Sequence, residues 1–318
     1  MVYGPCGGVR PDGDCEVGGL ACPFTSTPPW SGPEPRGAPA PTTPGPRVLT
    51  DLTVRPYDPS SVRRVVSLLA GSCDAVLVGE HHNRPDLPPA LFAAEVLAAG
   101  GRPLTTLTCR DRNRLVLEQE LVGLAAIGVE TVLCVTGDAR GQGVRPGVTQ
   151  VFDLDGTRLA ALAAEHGLEP AVVESPEARP TALRPDRVAN KQRAGARLCV
   201  LNHVSSPASV AAFVAAARAA GATLPFVAGV AVFTDERSAL VLQRFPGLHL
   251  TDASVHAVLQ ARDPEAAGVA AAVAEARQLL AIPGVIGVNL SGLASGRGEE
   301  AAAEIKAAVG RELRGLVA

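Results

Sequence analysis

Aromatic residues are scarce in this chain, and neither sign of charge dominates it. Phe, Trp and Tyr together make up 3% of the 318 residues, so the sequence offers few rings on which nucleic-acid bases could stack. The formal net charge is −3 and the pI is about 6.1, so these values give no reason to expect a basic surface for a phosphate backbone. We therefore expect no nucleic-acid partner.

The sequence also lacks a long apolar run and a secretion signal. No stretch reaches the roughly 18 consecutive apolar residues of a membrane span. Residues 1–8 contain neither the basic nor the apolar segment of a signal peptide. We therefore expect no membrane association and a reducing, cytoplasmic location. Four of the seven cysteines lie in or beside apolar segments and are predicted to be buried thiols: Cys73, Cys109, Cys134 and Cys199.

Residues 1–46 differ in composition from the rest of the chain. The segment TSTPPWSGPEPRGAPAPTTPGPR is dense in Pro, Gly, Ser and Thr and predicts an extended linker. Before it stand Cys6, Cys15 and Cys22. Three thiolates so close together could hold Zn²⁺ or part of an iron–sulfur cluster, although either group usually takes four protein ligands; free thiols in a flexible arm are the alternative. We divide the chain into this cysteine motif with its linker, 1–46, and a second domain, 47–318.

From residue 47 onward, short apolar runs alternate with helical segments rich in Ala, Leu and Arg. Eight runs are predicted strands: 48–54, 74–79, 103–109, 131–137, 170–174, 197–202, 225–232 and 284–290. Each is continuously apolar, as expected for a parallel strand covered on both faces. Eight strand–helix units predict a (β/α)8 barrel. An open doubly wound sheet is the alternative, and it is disfavoured because no Gly-x-Gly-x-x-Gly turn follows the first strand.

Polar residues follow the predicted strands, where a (β/α)8 barrel carries its functional groups. Asp51 is an isolated acid in an apolar strand, and burying such a group is costly unless it has a partner or a chemical role. The charged run 110–114 is predicted to be mostly scaffold, with Asp111 capping the next helix and the arginines pairing with neighbouring loops. His81, after the second strand, is a candidate for substrate contact.

Five segments resemble the methylenetetrahydrofolate reductase family, in its order and spacing over residues 47–292. They are LTCRDRNR (107–114), VLCVTGD (132–138), VFDLDGTRL (151–159), NKQRAGAR (190–197) and LPFVAGV (224–230). The N-terminal YGPCGGVRPDGDCEVGGLACPF resembles a small cysteine module often attached to that family. The resemblance implies an FAD-binding (β/α)8 barrel. It also implies an oxidoreductase that interconverts 5,10-methylenetetrahydrofolate and 5-methyltetrahydrofolate with NAD(P)H.

The resemblance implies catalytic and substrate-binding roles for three residues. Asp51 stands where the family has a glutamate that acts as general acid and protonates the imidazolidine nitrogen of the folate. Asp138 stands where an aspartate lies near both flavin and folate and tunes them. Asn202 replaces a glutamine that hydrogen-bonds the pterin.

The resemblance also implies an FAD site. Its predicted residues are Thr106, Thr108, Cys109, Gly137, Asp138, Glu177, Arg179, Arg187 and Lys191. Lys191 matches a lysine that contacts the FAD phosphate or ribose, and Arg179 replaces a histidine and could meet a pyrophosphate. Thr106 replaces a histidine beside the flavin, and the segment 180–191 is about four residues shorter than in the family.

Two alternatives stay open. The first is a flavin-free relative that passes hydride directly or runs towards folate oxidation. The second is a non-catalytic subunit that docks through its cysteine module on an electron-transfer partner. A homo-oligomer or a redox partner subunit is compatible with each of these functions.

Overall fold

The structure is a computed structural model that describes residues 14, 30–32, 47–80, 85–138, 147–244, 248–292 and 296–315. The strands are β1 (Val48–Asp51), β2 (Ala75–Val78), β3 (Pro103–Thr108), β4 (Thr131–Val135), β5 (Glu169–Glu174), β6 (Leu198–Leu201), β7 (Phe226–Ala231) and β8 (Val285–Ser291). The helices are α1 (Pro59–Leu69), α2 (Pro89–Ala98), α3 (Arg114–Ala126), α4 (Gly156–Glu165), α5 (Arg184–Arg193), α6 (Pro207–Ala219), α7 (Glu236–Gln243), α8 (Asp252–Leu259), α9 (Pro264–Leu280) and α10 (Glu299–Arg314). A short 3-10 turn, Thr181–Leu183, precedes α5.

The eight strands form a closed parallel barrel in chain order. Each strand pairs with the next, and β8 pairs with β1, with Leu49 in register with Asn289. The predicted (β/α)8 barrel is confirmed, and the open doubly wound sheet was wrong. Each of the eight strands is hydrogen-bonded to a neighbour on both sides. Side chains in the barrel interior cover one face of the sheet and the helices cover the other, which explains why the apolar runs in the sequence are continuous rather than alternating.

Alternate side chains of each strand separate into two apolar layers. The inward-facing layer fills the barrel and contains Leu49, Ala75, Leu104, Leu133, Ala171, Leu198, Val200 and Val227. The outward-facing layer packs against the helices, where Phe226 meets Phe213 of α6 edge to face with ring centroids 6.3 Å apart. This alternation decides which polar residue at a strand end faces the interior of the barrel and which faces the helices.

The predicted buried thiols occupy the outer layer. Cys109, Cys134 and Cys199 are buried and Cys73 is partly buried, all as free thiols. Burial raises the pKa of Cys199 to about 12 and that of Cys73 to about 11. These thiols are therefore packing groups and not nucleophiles, since the reactive form of cysteine is the thiolate.

Side-chain caps begin most of the helices, and two details differ from the prediction. Asn113, and not Asp111, caps α3 by accepting a hydrogen bond from Val116 N at 3.0 Å. Helix α8 was not predicted, although Thr251 accepts from Ser254 N at its start as a good N-cap residue does. Across the described ranges, no helix has the length and apolar character that crossing a membrane requires.

Candidate functional site at the carboxyl ends of the strands

Asp51 ends β1 and lies two residues after the inward-facing Leu49, so its side chain belongs to the interior face at the mouth of the barrel. It is partly buried. Asn289 Nδ2 donates to Asp51 Oδ1 at 2.8 Å and to Ser291 Oγ at 2.9 Å. The predicted acid is therefore held by a neutral amide from the neighbouring strand.

The surroundings of Asp51 favour its protonated form. Burial raises the pKa of Asp51 above its ordinary 3.8, and this effect outweighs those that lower it. The opposing effects are the charge of Lys306 and hydrogen bonds from Asn289, Ser291 and the Gly292 backbone. No guanidinium or ammonium group forms an ion pair with the Asp51 carboxylate within the described part of the chain. A carboxyl group in this setting can hold a proton closer to neutral pH than an exposed one.

Asp138 lies after β4, three residues beyond Val135. Its backbone carbonyl accepts from Arg110 Nη1 at 3.3 Å, while the described residues provide no hydrogen bond or ion pair for its carboxylate. Gly137 has φ of +84°, and a Cβ atom there would lie 3.2 Å from the Cβ atoms of Arg110 and Thr108. The positive φ and this close approach require glycine at position 137, and the resulting turn fixes the path of the backbone into Asp138.

The charged run after β3 is scaffold, as predicted. Arg112 Nη1 lies 2.8 Å from Glu80 Oε2, and Glu80 Oε1 accepts from Thr108 N at 3.0 Å. Arg110 Nε donates to Asp111 Oδ2 at 3.0 Å. These contacts tie the ends of β2, β3 and β4 together. Thr108 is thus a part of the loop framework, and its role as a cofactor ligand stays a prediction.

Lys191, predicted to contact FAD, and Arg184 both pair with one buried carboxylate. Glu174 ends β5 on the face towards the helices. Lys191 Nζ donates to Glu174 Oε2 at 2.9 Å and to Val173 O at 2.6 Å, and Arg184 Nη1 donates to Glu174 Oε1 at 2.6 Å. Burial raises the pKa of Glu174, but the charges of Lys191, Arg187 and Arg184 prevail and hold it well below its usual range.

Arg184 is fully buried, and each of its three side-chain nitrogens donates a hydrogen bond within the fold. Its Nε donates to Ala178 O and its Nη2 to Arg179 O, each at 2.9 Å. Because Arg184 and Lys191 are buried and pair with Glu174, these two cations are not presented to a dinucleotide. In this arrangement the two cations do not fit the phosphates of FAD.

The other predicted site residues lie in different surroundings. Thr106 is a buried, inward-facing residue of β3, and Cys109 points into the helix layer. Asn202 Nδ2 donates to Ser175 Oγ at 2.7 Å near the mouth. Glu177 accepts from Ser205 N at 3.0 Å, and Arg179 is exposed. His81 and the cysteines Cys6, Cys15 and Cys22 lie outside the described residues.

Sequence reasoning missed the lysine of α10. Lys306 is 3% exposed, and its Nζ donates to Asp51 O at 2.8 Å. Burial lowers its pKa to about 8, although the Asp51 charge opposes this. A lysine on the apolar face of an Ala-rich helix was the available signal, because such a side chain is rarely buried without a partner.

Comparison with solved structures shows the fold. The chain is similar to an uncharacterized protein from Clostridium thermocellum that binds two copies of 5-methyl-5,6,7,8-tetrahydrofolic acid; identity is 14%, TM-score is 0.60, and the match covers 82% of this chain and 93% of that one. A tryptophan synthase from M. tuberculosis matches with 17% identity and a TM-score of 0.43, and the match covers 83% of this chain and 92% of that one. No protein-family model and no curated protein matches the sequence. The chain is thus a closed (β/α)8 barrel, as the family resemblance implied.

Proposed function

We propose that this chain binds a reduced folate at the mouth of the barrel and interconverts 5,10-methylenetetrahydrofolate and 5-methyltetrahydrofolate. The observation that carries the proposal is the Asp51 carboxyl group, which lies at the inner mouth, has neutral hydrogen-bond donors and has a raised pKa. A group of this kind suits general acid catalysis. The Clostridium thermocellum protein, which has the same fold and binds 5-methyltetrahydrofolic acid, supports the choice of ligand.

The proposed role of Asp51 is proton transfer to the folate. In the direction of reduction, the bond between the methylene carbon and one imidazolidine nitrogen breaks, and both electrons of the bond stay on that nitrogen. Protonated Asp51 donates its proton there, and an iminium ion forms at the other nitrogen. Hydride addition to the methylene carbon then gives the methyl group, and in the reverse direction ionised Asp51 accepts the proton.

The hydride donor in this proposal is NAD(P)H, which becomes NAD(P)⁺. No step passes through a flavin, because Arg184 and Lys191 are used by Glu174. Asn202, whose amide already donates to Ser175 at 2.7 Å, and Asp138 are the proposed substrate contacts beside Asp51. FAD binding itself stays a prediction from the family resemblance.

Three measurements on the full chain test the proposal. The absorption spectrum of the purified protein reports bound flavin, calorimetric titration reports binding of 5-methyltetrahydrofolate, and a coupled assay reports oxidation of NAD(P)H that depends on 5,10-methylenetetrahydrofolate. We expect folate binding and folate-dependent turnover. An absence of turnover with every electron donor, including added FAD, would remove the oxidoreductase proposal.

A second candidate is a reduced-folate-binding protein that catalyses no redox step. The specific observation in its favour is the pairing of Lys191 and Arg184 with Glu174, which keeps these two cations from the phosphates of a dinucleotide. In this case titration shows folate binding, the spectrum shows no flavin and turnover is absent. For such a protein, the Asp51→Asn variant and the wild type would both bind folate and neither would turn it over. The enzyme proposal instead expects turnover in the wild type and its loss in the variant.

A further inference from the structure

Lysine is almost absent from this chain, and its two lysines are used in the interior. Of the 29 basic residues only Lys191 and Lys306 are lysines, and both are buried. Lys191 neutralises Glu174 directly. Lys306 forms no comparable ion pair with any described carboxylate. A buried ammonium costs several kcal/mol unless the charge is compensated, so Lys306 requires a separate explanation.

Lys306 connects α10 to the end of β1. Its Nζ donates to the backbone carbonyl of Asp51 at 2.8 Å, and Lys306 lines a small cavity together with Ala302, Ile305 and Thr234. Two titratable groups face it, Asp51 from β1 and Cys73 from the α1–β2 connection. Helices α1 and α9 also pack against α10 but contribute no such group among the described residues. Among the described groups that face Lys306, Asp51 alone is a carboxyl group.

Asn289 completes the arrangement from the opposite side. Both hydrogens of its amide group are used, one by Asp51 and one by Ser291, while its Oδ1 is buried and has no hydrogen-bond partner among the described residues. Nδ2 as donor matches an ionised Asp51. If Asp51 is protonated, a turned amide would place Oδ1 where the Asp51 hydroxyl and the Ser291 hydroxyl can both donate to it, and Nδ2 would take the buried position that Oδ1 occupies in this structure. One side chain can therefore present either a donor or an acceptor to Asp51.

We propose that Lys306 and Asn289 are positioning residues for Asp51. Lys306 fixes the end of β1 and supplies the charge that balances ionised Asp51, and Asn289 turns its amide group over when Asp51 gains or loses its proton. The reason why Asp51 changes protonation rests on the proposed function. The coupling among Asp51, Lys306 and Asn289 does not depend on that function, and it is measured without folate.

The first experiment uses the small number of lysines. Selective ¹³C labelling of lysine gives two side-chain signals, and their pH titration is followed by NMR in the wild-type chain and in Asp51→Asn. We expect the Lys306 midpoint, about 8 in the wild type, to fall by about one pH unit in the variant, because a facing negative charge is lost. The Lys191 signal, next to Glu174, is the control within the same spectrum and stays unchanged.

Glu304→Gln is the matched control variant, since it removes one exposed carboxylate from the same helix. It leaves the Lys306 midpoint unchanged within about 0.2 pH units, because an exposed charge is screened by water and salt. An unchanged Lys306 midpoint in Asp51→Asn, or an equal fall in Glu304→Gln, would overturn the role of Lys306.

The second experiment follows the amide of Asn289. The chain has five asparagines, so selective ¹⁵N labelling gives five side-chain NH₂ pairs, and Asn289→Leu identifies the pair in question. We expect this pair to shift with pH in the wild type and to stay constant in Asp51→Asn. A pair that is constant across the titration in the wild type contradicts the turning amide.

Activity provides a third measurement if the proposed function holds. Lys306→Met removes the balancing charge, so the pKa seen on the alkaline limb of kcat/KM for 5,10-methylenetetrahydrofolate reduction, where Asp51 loses its proton, rises relative to the wild type, while Lys306→Arg moves it back towards the wild-type value. A purely structural lysine would lower kcat/KM without moving the limb. If folate turnover is absent, the NMR titrations still decide the coupling; if the coupling is absent, the folate assays still decide the proposed function.

Discussion

Two carboxylates, the partly buried Asp51 and the buried Glu174, end two strands of the same barrel and contact the two lysines of the chain in different ways. Glu174 faces the helices and contacts Lys191 and Arg184 directly at 2.9 and 2.6 Å. Asp51 faces the barrel interior, and its lysine, Lys306, contacts only its backbone carbonyl. Direct pairing lowers the pKa of Glu174, whereas burial without direct pairing raises that of Asp51. The position of the cation thus decides the role of each carboxylate: Glu174 is a permanent structural charge, whereas Asp51 can exchange a proton.

The largest expected effect is on catalysis by Asp51→Asn. The substitution removes the proton donor but keeps a similar shape and a polar group opposite Asn289. We expect kcat/KM in the folate assay to fall by about 10²- to 10⁴-fold, the usual contribution of general acid–base catalysis. A variant with wild-type turnover would assign the acid to another residue.

Glu174→Gln tests the structural side of the comparison. It leaves Lys191 and Arg184 buried without their carboxylate, so the free energy of unfolding falls by about 3–5 kcal/mol at neutral pH. Because the folded-state pKa of Glu174 is lowered from 4.5, its stabilising effect is present above pH 4.5 and is lost as the pH falls through the folded-state pKa. Denaturant unfolding at pH 7 and pH 3 measures this, and the loss should be smaller at pH 3.

Lys306→Met tests the lysine of the Asp51 cluster. Between about pH 8 and 10.5, folded wild-type Lys306 has released its proton while the unfolded chain still binds one, so this residue makes stability rise with pH over that window. The rise approaches roughly 3 kcal/mol as an upper limit. Unfolding curves of wild type and variant across this range measure the effect, because the cysteines other than Cys73 titrate equally in both. If the unfolding free energies of wild type and variant change with pH in the same way, the Lys306 ammonium group lies in a more solvated site than the structure indicates.

Glu130→Gln is the substitution with the smallest expected effect on stability. Glu130 Oε2 lies 3.0 Å from Arg102 Nη2, but the Glu130 side chain is 48% exposed. Such a pair contributes under about 1 kcal/mol, so we expect a change in unfolding free energy below that value and no change in folate turnover. A larger loss would show that direct pairing stabilises this barrel even when water surrounds the carboxylate.

Most of the fold could be predicted from the sequence. Eight continuous apolar runs, each followed by a helical segment, are sufficient to indicate a parallel barrel, because only fully covered strands lack polar alternation. The strand ends were less accurate: the first was predicted to reach residue 54, whereas β1 ends at Asp51. The sequence 52–54 is apolar enough for a strand, but pairing with β2 and β8 ends earlier.

The sequence predicts the surroundings of a site residue only when its position along its own strand determines which face of the barrel it lies on. Asp51 falls on the inward face by the two-residue alternation from Leu49. The fate of Lys191 depends instead on Glu174, 17 residues earlier on another element, and that of Lys306 on Asp51, 255 residues earlier. Such partners follow from barrel closure, so the sequence around each lysine cannot identify them.

The burial of both lysine side chains has a practical consequence for following the opening of this barrel. Amine-reactive reagents modify a lysine only when its ammonium group is accessible and deprotonated, so labelling at either lysine requires an element to move away. Modification at Lys306 would report detachment of α10 from β1, and modification at Lys191 would report detachment of α5 from β5. Peptide mass analysis after timed labelling would therefore compare the local opening rates on two sides of one barrel.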